Sequence, residues 1–220
     1  MIIKHTLFFT CGRLLKLAMG FVASLCVARY LGPELYGTLN YVMSYGAIFL
    51  VISNVGLAQI VLRELSKKEV NDSLLLGAAF KIKICFSVLC TVLLYGVTFI
   101  DPHFTSETRL LTLVFSLSFF LRSFEFFSSQ LQAQLKGNIV AYAEITQSLI
   151  SLILKLLLIF SNVDLLFFII VSALEWGFIF LGLVGFGKKI PAISWRKGTW
   201  KIGWALLKDA HYYVLSLIHI

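Results

Sequence analysis

Residues 28–37 are Ala-Arg-Tyr-Leu-Gly-Pro-Glu-Leu-Tyr-Gly, and this short stretch separates two long apolar runs. Gly32 stands where the end of a helix favours a left-handed residue, and Pro33 fits the first turn of a following helix. Glu34 complements the positive N-terminal end of that second helix. Because each flanking run is long enough to cross a bilayer, the stretch predicts a tight hairpin of two membrane-spanning helices.

The composition of the whole chain indicates an integral membrane protein. Hydrophobic residues make up 59% of the 220 residues, charged residues make up 14%, and the mean hydropathy is +0.91. A soluble domain has roughly 25% charged residues. The three prolines lie between the apolar runs, which favours uninterrupted helices, and the runs lack the alternation of membrane β-strands. The predicted fold class is therefore all-α.

Six apolar runs are long enough to span a bilayer, so a six-helix transmembrane bundle is predicted. Ten Lys and Arg residues fall on the segments at one side of these spans and two fall on the turns at the other side. This bias predicts a cytoplasmic N-terminus with an uncleaved first span, and it accounts for most of the net charge of +8 without a nucleic-acid partner. The predicted spans are 6–31, 35–62, 73–100, 108–134, 138–160 and 163–186.

Three regions are expected along the chain. Residues 1–187 form the transmembrane lobe, 188–207 form a cytoplasmic interfacial linker rich in Trp, Lys and Arg, and 208–220 begin a seventh helix. Residues 215–220, Leu-Ser-Leu-Ile-His-Ile, look like the translation of a transposon adaptor used in sequencing libraries. Native sequence is then expected to end near Val214. The alternative is a genuine seventh span that is cut short.

Several ionisable residues lie inside the spans. An ionised side chain at mid-membrane costs about 2.5–3.5 kcal/mol on insertion scales, so it normally faces protein or water. Helical spacing places Arg13 and Lys16 on one face of the first span, and Glu144, Gln147 and Lys155 on one face of the fifth. An interfacial position for Arg13 and Lys16 is the alternative. The predicted set that lines a hydrated interior is Arg13, Lys16, Asn40, Asn54, Arg122, Glu125, Glu144, Gln147, Lys155 and Glu175.

Two charged groups have structural interpretations beside the functional one. Arg122 and Glu125 are three residues apart on a predicted helix, so they can neutralise each other as an ion pair. Lys81 and Lys83 lie towards the inner end of the third span, where contacts with lipid headgroups are expected.

No catalytic chemistry is evident from the residues. The chain has no GxxxxGK[ST] phosphate loop, its four histidines are unclustered, and its four cysteines form no CxxC pair. We therefore expect no enzyme activity, no cofactor and no metal site.

Residues 29–41, Arg-Tyr-Leu-Gly-Pro-Glu-Leu-Tyr-Gly-Thr-Leu-Asn-Tyr, resemble the first extracytoplasmic turn of Wzx-type polysaccharide-export flippases. These belong to the multidrug/oligosaccharidyl-lipid/polysaccharide (MOP) superfamily. The likeness extends in pattern over the whole chain, with weaker support from Gln130, Gln132 and Gln134. It implies that the chain is the first lobe of a two-lobe, MATE-like transporter.

The resemblance also implies a substrate and a location. Such a flippase moves undecaprenyl-diphosphate-linked oligosaccharide repeat units across the bacterial inner membrane by alternating access, for O-antigen, capsule or exopolysaccharide assembly. The implied partners are the lipid-linked oligosaccharide, the phospholipid bilayer, and a polysaccharide polymerase with its chain-length regulator. Arg13, Lys16, Arg122 and Lys155 would contact the diphosphate, and Glu125, Glu144 or Glu175 would carry a coupling proton.

Three alternatives remain open. A cation-coupled multidrug antiporter of the same superfamily should have an acidic cavity, whereas the predicted set has at least as many Lys and Arg residues as Glu. A membrane-embedded glycan polymerase or ligase should have a sizeable outer loop, whereas the longest outer turn here is residues 100–107. A non-transporting scaffold is the third.

Overall fold

The computed structural model describes residues 2–54, 56–67, 71–187, 200, 202–204 and 206–208. These residues are helical apart from short turns and contain no strand, so the predicted all-α fold class is confirmed for them. Most of the predicted linker 188–207, and all but the first residue of the segment 208–220, lie outside the described residues. The described elements are α1 (Ile2–Asn54), α2 (Leu57–Lys67), α3 (Asp72–Ile100), α4 (Ser106–Leu121), a 3-10 turn (Arg122–Phe124), α5 (Glu125–Ala133), α6 (Gly137–Phe160) and α7 (Leu165–Gly187).

Five helical stretches in the described residues are long and apolar enough to cross a membrane. The predicted spans 73–100, 138–160 and 163–186 agree with α3, α6 and α7 to within two residues. The first of the five stretches contains the predicted hairpin, so the count of six crossings remains a prediction. The five stretches are Gly12–Lys67, Asp72–Ile100, Ser106–Ala133, Gly137–Phe160 and Leu165–Phe186.

Helix α1 consists of two arms, residues 2–31 and 33–54, that meet at Gly32. Gly32 has φ 71° and ψ 176°, a non-helical conformation that favours glycine. The hydroxyls of Ser24 and Tyr36 are 2.7 Å apart, although twelve residues of straight helix would rise about 18 Å. The chain therefore turns back at Gly32, in agreement with the predicted hairpin.

Two of the predicted spans are interrupted, which corrects the expectation of unbroken helices. The span 35–62 breaks around Gly56, which has φ 65°, and continues as α2. The span 108–134 breaks at the 3-10 turn 122–124 and continues as α5. Neither break contains a proline, so the spacing of the prolines gave no sign of either one.

Helices α6 and α7 pack closely and form one wall of the bundle. At Gly182 an added Cβ would lie 3.1 Å from both Cα and Cβ of Ala143, so the two backbones approach each other at this point. The second arm of α1 packs against α4, where Val42 and Phe115 share an apolar cluster. The first arm lies along α6 and α7, and a cleft opens between these three elements.

Candidate functional site

The central cleft is a cavity of about 380 Å³ between the first arm of α1, α6 and α7. Its polar lining comes mainly from the stripe that helical spacing predicts along α6, since residues three or four apart share a face. Gly20 leaves open space where a side chain would otherwise stand. The lining residues are Lys16, Leu17, Met19, Gly20, Phe21, Ala23, Gln147, Ser148, Ser151, Leu152, Lys155, Glu175, Trp176 and Ile179.

Lys155 and Glu175 form the best-defined polar contact of the cleft. Lys155 Nζ donates to Glu175 Oε1 at 2.9 Å, and Ser151 Oγ donates to the same oxygen at 2.8 Å. The side chains are 17% exposed for Lys155 and 34% for Glu175. A carboxylate with two donors from one helix is held in one orientation, so this contact fixes α7 against α6.

Lys16 and Glu144 form a second ion pair, which joins the first arm of α1 to α6. Lys16 Nζ lies 3.3 Å from Glu144 Oε2, and the two side chains are 40% and 37% exposed. Glu144 also lines a small cavity of about 60 Å³ with Arg13 and Gln132. Arg13 itself is exposed. The predicted cation Arg13 therefore lines this small neighbouring cavity and is not among the residues that line the central cleft.

A further cavity of about 150 Å³ adjoins the central cleft on the side of the Gly32 hairpin. It shares Gly20, Ala23 and Lys155 with the central cleft, and Asn40 contributes to its lining from the second arm. Asn40 Nδ2 donates to the carbonyl of Tyr36 at 2.8 Å. Polar groups thus follow one another along the first arm of α1 from the small cavity, through the cleft, to the neighbourhood of the hairpin.

Arg122 and Glu125 pair with each other at 3.3 Å, as their spacing predicts. The guanidinium carbon of Arg122 also lies 4.5 Å from the centroid of the Trp176 ring. A cation over an aromatic face is a favourable contact. Trp176 lines the central cleft, so Arg122 contacts a residue of the cleft wall without being among the lining residues itself. Nothing in the residue spacing pointed to Trp176.

Asn54 is not brought to the cleft. It lies fourteen residues beyond Asn40, about 21 Å along a helix, and its Oδ1 accepts a hydrogen bond from Lys83 Nζ at 3.1 Å. Lys83 is 1% exposed and also donates to the carbonyl of Ser53 at 3.0 Å. The expectation that Lys83 contacts lipid headgroups is therefore wrong. The sequence did contain a sign of this burial, because Lys83 lies eleven residues into α3, about 16 Å from the start of the helix.

A separate polar cluster lies where α3 ends. Asp101 Oδ2 accepts hydrogen bonds from Tyr45 Oη at 2.6 Å and Tyr41 Oη at 2.9 Å, and its Oδ1 accepts one from the backbone N–H of His103. The bond from Tyr45, with those from His103 and Tyr41, lowers the pKa of the Asp101 carboxyl below its ordinary value, since all three favour the ionised form. Phe104 packs against both tyrosine rings. This cluster fastens the second arm of α1 to the end of α3.

The fold and the cleft together define a class of protein. Apolar helices long enough to cross a membrane enclose a path with two lysines and two glutamates in pairs, and such charges are rare in lipid except where protein or water surrounds them. The described residues are therefore those of a multi-pass helical membrane protein with a polar interior.

Comparison with known families makes the assignment more specific. The family model described as polysaccharide biosynthesis protein matches residues 2–200, which is most of the chain. The chain belongs to this family, and the resemblance to polysaccharide-export proteins is confirmed at that level. The comparisons with curated proteins and with solved structures gave no match.

Proposed function

We propose that this chain is the first lobe of a flippase for polysaccharide assembly, and that it moves undecaprenyl-diphosphate-linked oligosaccharide repeat units across the bacterial inner membrane. It works by alternating access, as a transporter and without making or breaking covalent bonds in its substrate. The repeat units serve O-antigen, capsule or exopolysaccharide assembly. The family membership supports a role in polysaccharide synthesis or transport.

The observation that carries this proposal is that Lys16 of α1 and Lys155 of α6 both line the central cleft. A diphosphate that leaves water needs cationic donors along its path, and ammonium groups bind phosphate oxygens well. The two lysines provide such donors among the helices that are long and apolar enough to cross a membrane. The prenyl tail would remain in the lipid beside the bundle, where no polar path is required.

We infer the orientation of the chain from the distribution of its charges. The excess of Lys and Arg on one side favours a cytoplasmic N-terminus, with the Gly32 hairpin on the outer side. If the two arms of α1 each cross the membrane, the lobe has six crossings, and a second lobe would face the cleft. A polymerase and a chain-length regulator are the proposed protein partners in the membrane.

Export of the repeat unit can be measured in cells that lack the gene. We expect lipid-linked repeat units to accumulate on the inner leaflet, where reagents restricted to the outer leaflet do not reach them, and we expect surface polysaccharide to be lost. Reintroducing the intact gene should restore both. Unchanged delivery to the outer leaflet would rule the proposal out, and a changed resistance to organic cations in its place would favour a multidrug antiporter.

A further inference from the structure

Trp176 of α7 is held on two sides and meets the central cleft with the rest of its ring. The guanidinium carbon of Arg122 lies 4.5 Å from the ring centroid, so one face of the indole is covered. The partly buried ring also packs against the apolar cluster that contains Ile179 and Leu183. Trp176 lines the cleft, whereas Arg122 is not among the lining residues. The cleft therefore reaches a part of the ring that Arg122 leaves uncovered.

Arg122 is itself held in place by Glu125. Arg122 Nε lies 3.3 Å from Glu125 Oε2, and the two side chains are largely shielded from solvent. This charge-assisted hydrogen bond restricts the guanidinium, which in turn keeps the indole in one orientation. A guest that contacts Trp176 therefore meets a ring that is already oriented, and less conformational entropy is lost on binding.

The contacts around Trp176 indicate which kind of guest its ring can take. The negative potential of an aromatic face attracts cations, and Arg122 already uses it. Glu175, the next residue back along α7, also lines the cleft, but its carboxylate already accepts hydrogen bonds from Lys155 and Ser151. An organic cation would have to compete for both groups. A neutral ring that presents C–H bonds to the indole needs neither of them.

A sugar ring has two kinds of surface, and the cleft offers partners for both. Its C–H groups pack against an apolar aromatic surface, and its hydroxyls need hydrogen-bonding groups beside that contact. Gln147, Ser148 and Ser151 of α6 line the same cleft and provide an amide and two hydroxyls. The cleft volume of about 380 Å³ falls within the range of roughly 300–1,000 Å³ that is typical of sites for small ligands.

We propose that Trp176 is a specificity-determining residue of the central cleft, where its uncovered surface packs against a sugar ring of the substrate. Arg122 and Glu125 are positioning residues for this ring, and Lys16 and Lys155 bind the diphosphate of the same molecule. The inference rests on the proposed function, because a substrate with a diphosphate and a sugar uses both parts of the cleft. It adds a means of distinguishing a glycosylated lipid carrier from a bare one.

Isothermal titration calorimetry of the full chain in detergent micelles tests this inference. The probes are farnesyl diphosphate and its conjugates with glucose, galactose and N-acetylglucosamine. We expect at least one conjugate to bind about tenfold more tightly than farnesyl diphosphate, the effect of one well-packed aromatic contact. Trp176→Leu should remove this difference and leave the affinity for farnesyl diphosphate unchanged. Phe167→Leu, at an exposed aromatic residue of α7 outside the cleft lining, is the matched control and should change neither affinity.

Fluorescence provides a second measurement that does not depend on the folding of Trp176→Leu. Replacement of Trp195, Trp200 and Trp204 by phenylalanine leaves Trp176 as the only tryptophan. The preferred conjugate should shift its emission to shorter wavelength, because a sugar ring displaces water from the indole, and farnesyl diphosphate should shift it less. Arg122→Gln in this background should reduce the shift, and Arg122→Lys, which keeps the cation but not the planar guanidinium, should restore part of it.

The outcomes separate this inference from the proposed function. Equal binding of farnesyl diphosphate and all three conjugates would overturn the inference and leave the flippase proposal standing, and so would a conjugate preference that persists in Trp176→Leu. Absence of binding by all four probes would count against both. Tighter binding of tetraphenylphosphonium than of any conjugate, if lost in Trp176→Leu, would also overturn the inference and would favour a multidrug antiporter.

Discussion

Lys155 Nζ lies 2.9 Å from Glu175 Oε1, and this ion pair ties α6 to α7 in the wall of the central cleft. Ser151, one turn earlier on α6, donates to the same carboxylate oxygen. Both side chains are mostly shielded from solvent, so removal of one partner leaves the other poorly solvated. The same lysine that stabilises the helix packing is also one of the two lysines that line the cleft.

Replacement of Lys155 by alanine should affect both stability and export. We expect a loss of about 1–3 kcal/mol in the free energy of unfolding, because the Glu175 carboxylate loses a charged donor but keeps Ser151. We expect export to fall by about tenfold or more, since a charge-assisted hydrogen bond contributes about 1.5–3 kcal/mol. Thermal denaturation of the purified protein and surface polysaccharide in cells measure the two effects.

The exchanged variant Lys155→Glu with Glu175→Lys separates these effects. It restores an ion pair between α6 and α7, so stability should recover towards that of the wild type. Export should stay low if a cation at position 155 is required. Recovery of export together with stability would show that the pair acts only in packing.

Replacement of Lys16 by alanine should lower export with little change in stability. The Lys16–Glu144 pair is more than one-third exposed on both sides, and exposed ion pairs contribute about 0–1 kcal/mol. Lys136→Ala is the matched control, because Lys136 is an exposed lysine in the turn between α5 and α6, away from the cleft. Equal export by Lys16→Ala and Lys136→Ala would remove Lys16 from the path.

Gly20 offers a direct test of whether the cleft must remain open. A Cβ added there meets no atom within 4 Å, so Gly20→Ala should be tolerated. Gly20→Trp would fill much of the cavity of about 380 Å³ and should abolish export while the protein remains in the membrane. Membrane content is measured by quantitative immunoblotting. Normal export by Gly20→Trp at normal abundance would show that the substrate does not use this cavity.

Gly182 and Gly185 should respond differently to the same substitution. Gly182→Leu forces a side chain into the space held by Ala143, and overpacking typically costs about 1–3 kcal/mol. Gly185→Leu adds a side chain where no atom lies within 4 Å, so it should have little effect. Thermal denaturation of both variants in the same detergent checks this. Equal denaturation temperatures would contradict the close contact between α6 and α7.

Asp101 predicts a pH-dependent contribution to stability. Its folded-state pKa is lowered, first by the hydrogen bond from Tyr45, so the contribution is fully present above the ordinary Asp pKa of about 3.9 and is lost as the pH falls through the lower folded value. Asp101→Asn should therefore be less stable than the wild type at neutral pH, and the difference should shrink in acid. Asp164→Asn, at an exposed acid in the loop between α6 and α7, is the control.

Parts of this architecture depend on local sequence and could be predicted from it. The reversal at Gly32 follows from the Gly-Pro pair, whose backbone preferences act within two residues. The stripe from Glu144 to Lys155 follows from helical periodicity alone. Gln147 and Glu175, placed in the predicted set by the same argument, line the central cleft in the structure.

Other parts depend on contacts between distant residues and were not predictable. Lys16 and Glu144 are 128 positions apart, so their pairing depends on how the first arm of α1 packs against α6. Lys83 is buried where it bonds Ser53 and Asn54 of α1, which are 30 and 29 positions away, so its environment depends on how α3 packs against the end of α1. A hydropathy pattern shows that a segment is apolar, but it does not show which neighbour satisfies a charge within it.

The two ion pairs place one negative and one positive side chain of α6 against two neighbouring helices. Its Glu144 carboxylate pairs with Lys16 of α1, and its Lys155 ammonium pairs with Glu175 of α7. The four side chains together therefore carry no net charge. These four side chains can therefore balance one another's charge without ions from solution. Any anionic guest must compete with Glu144 and Glu175 for the same two ammonium groups, and each carboxylate that it displaces loses a partner within the bundle.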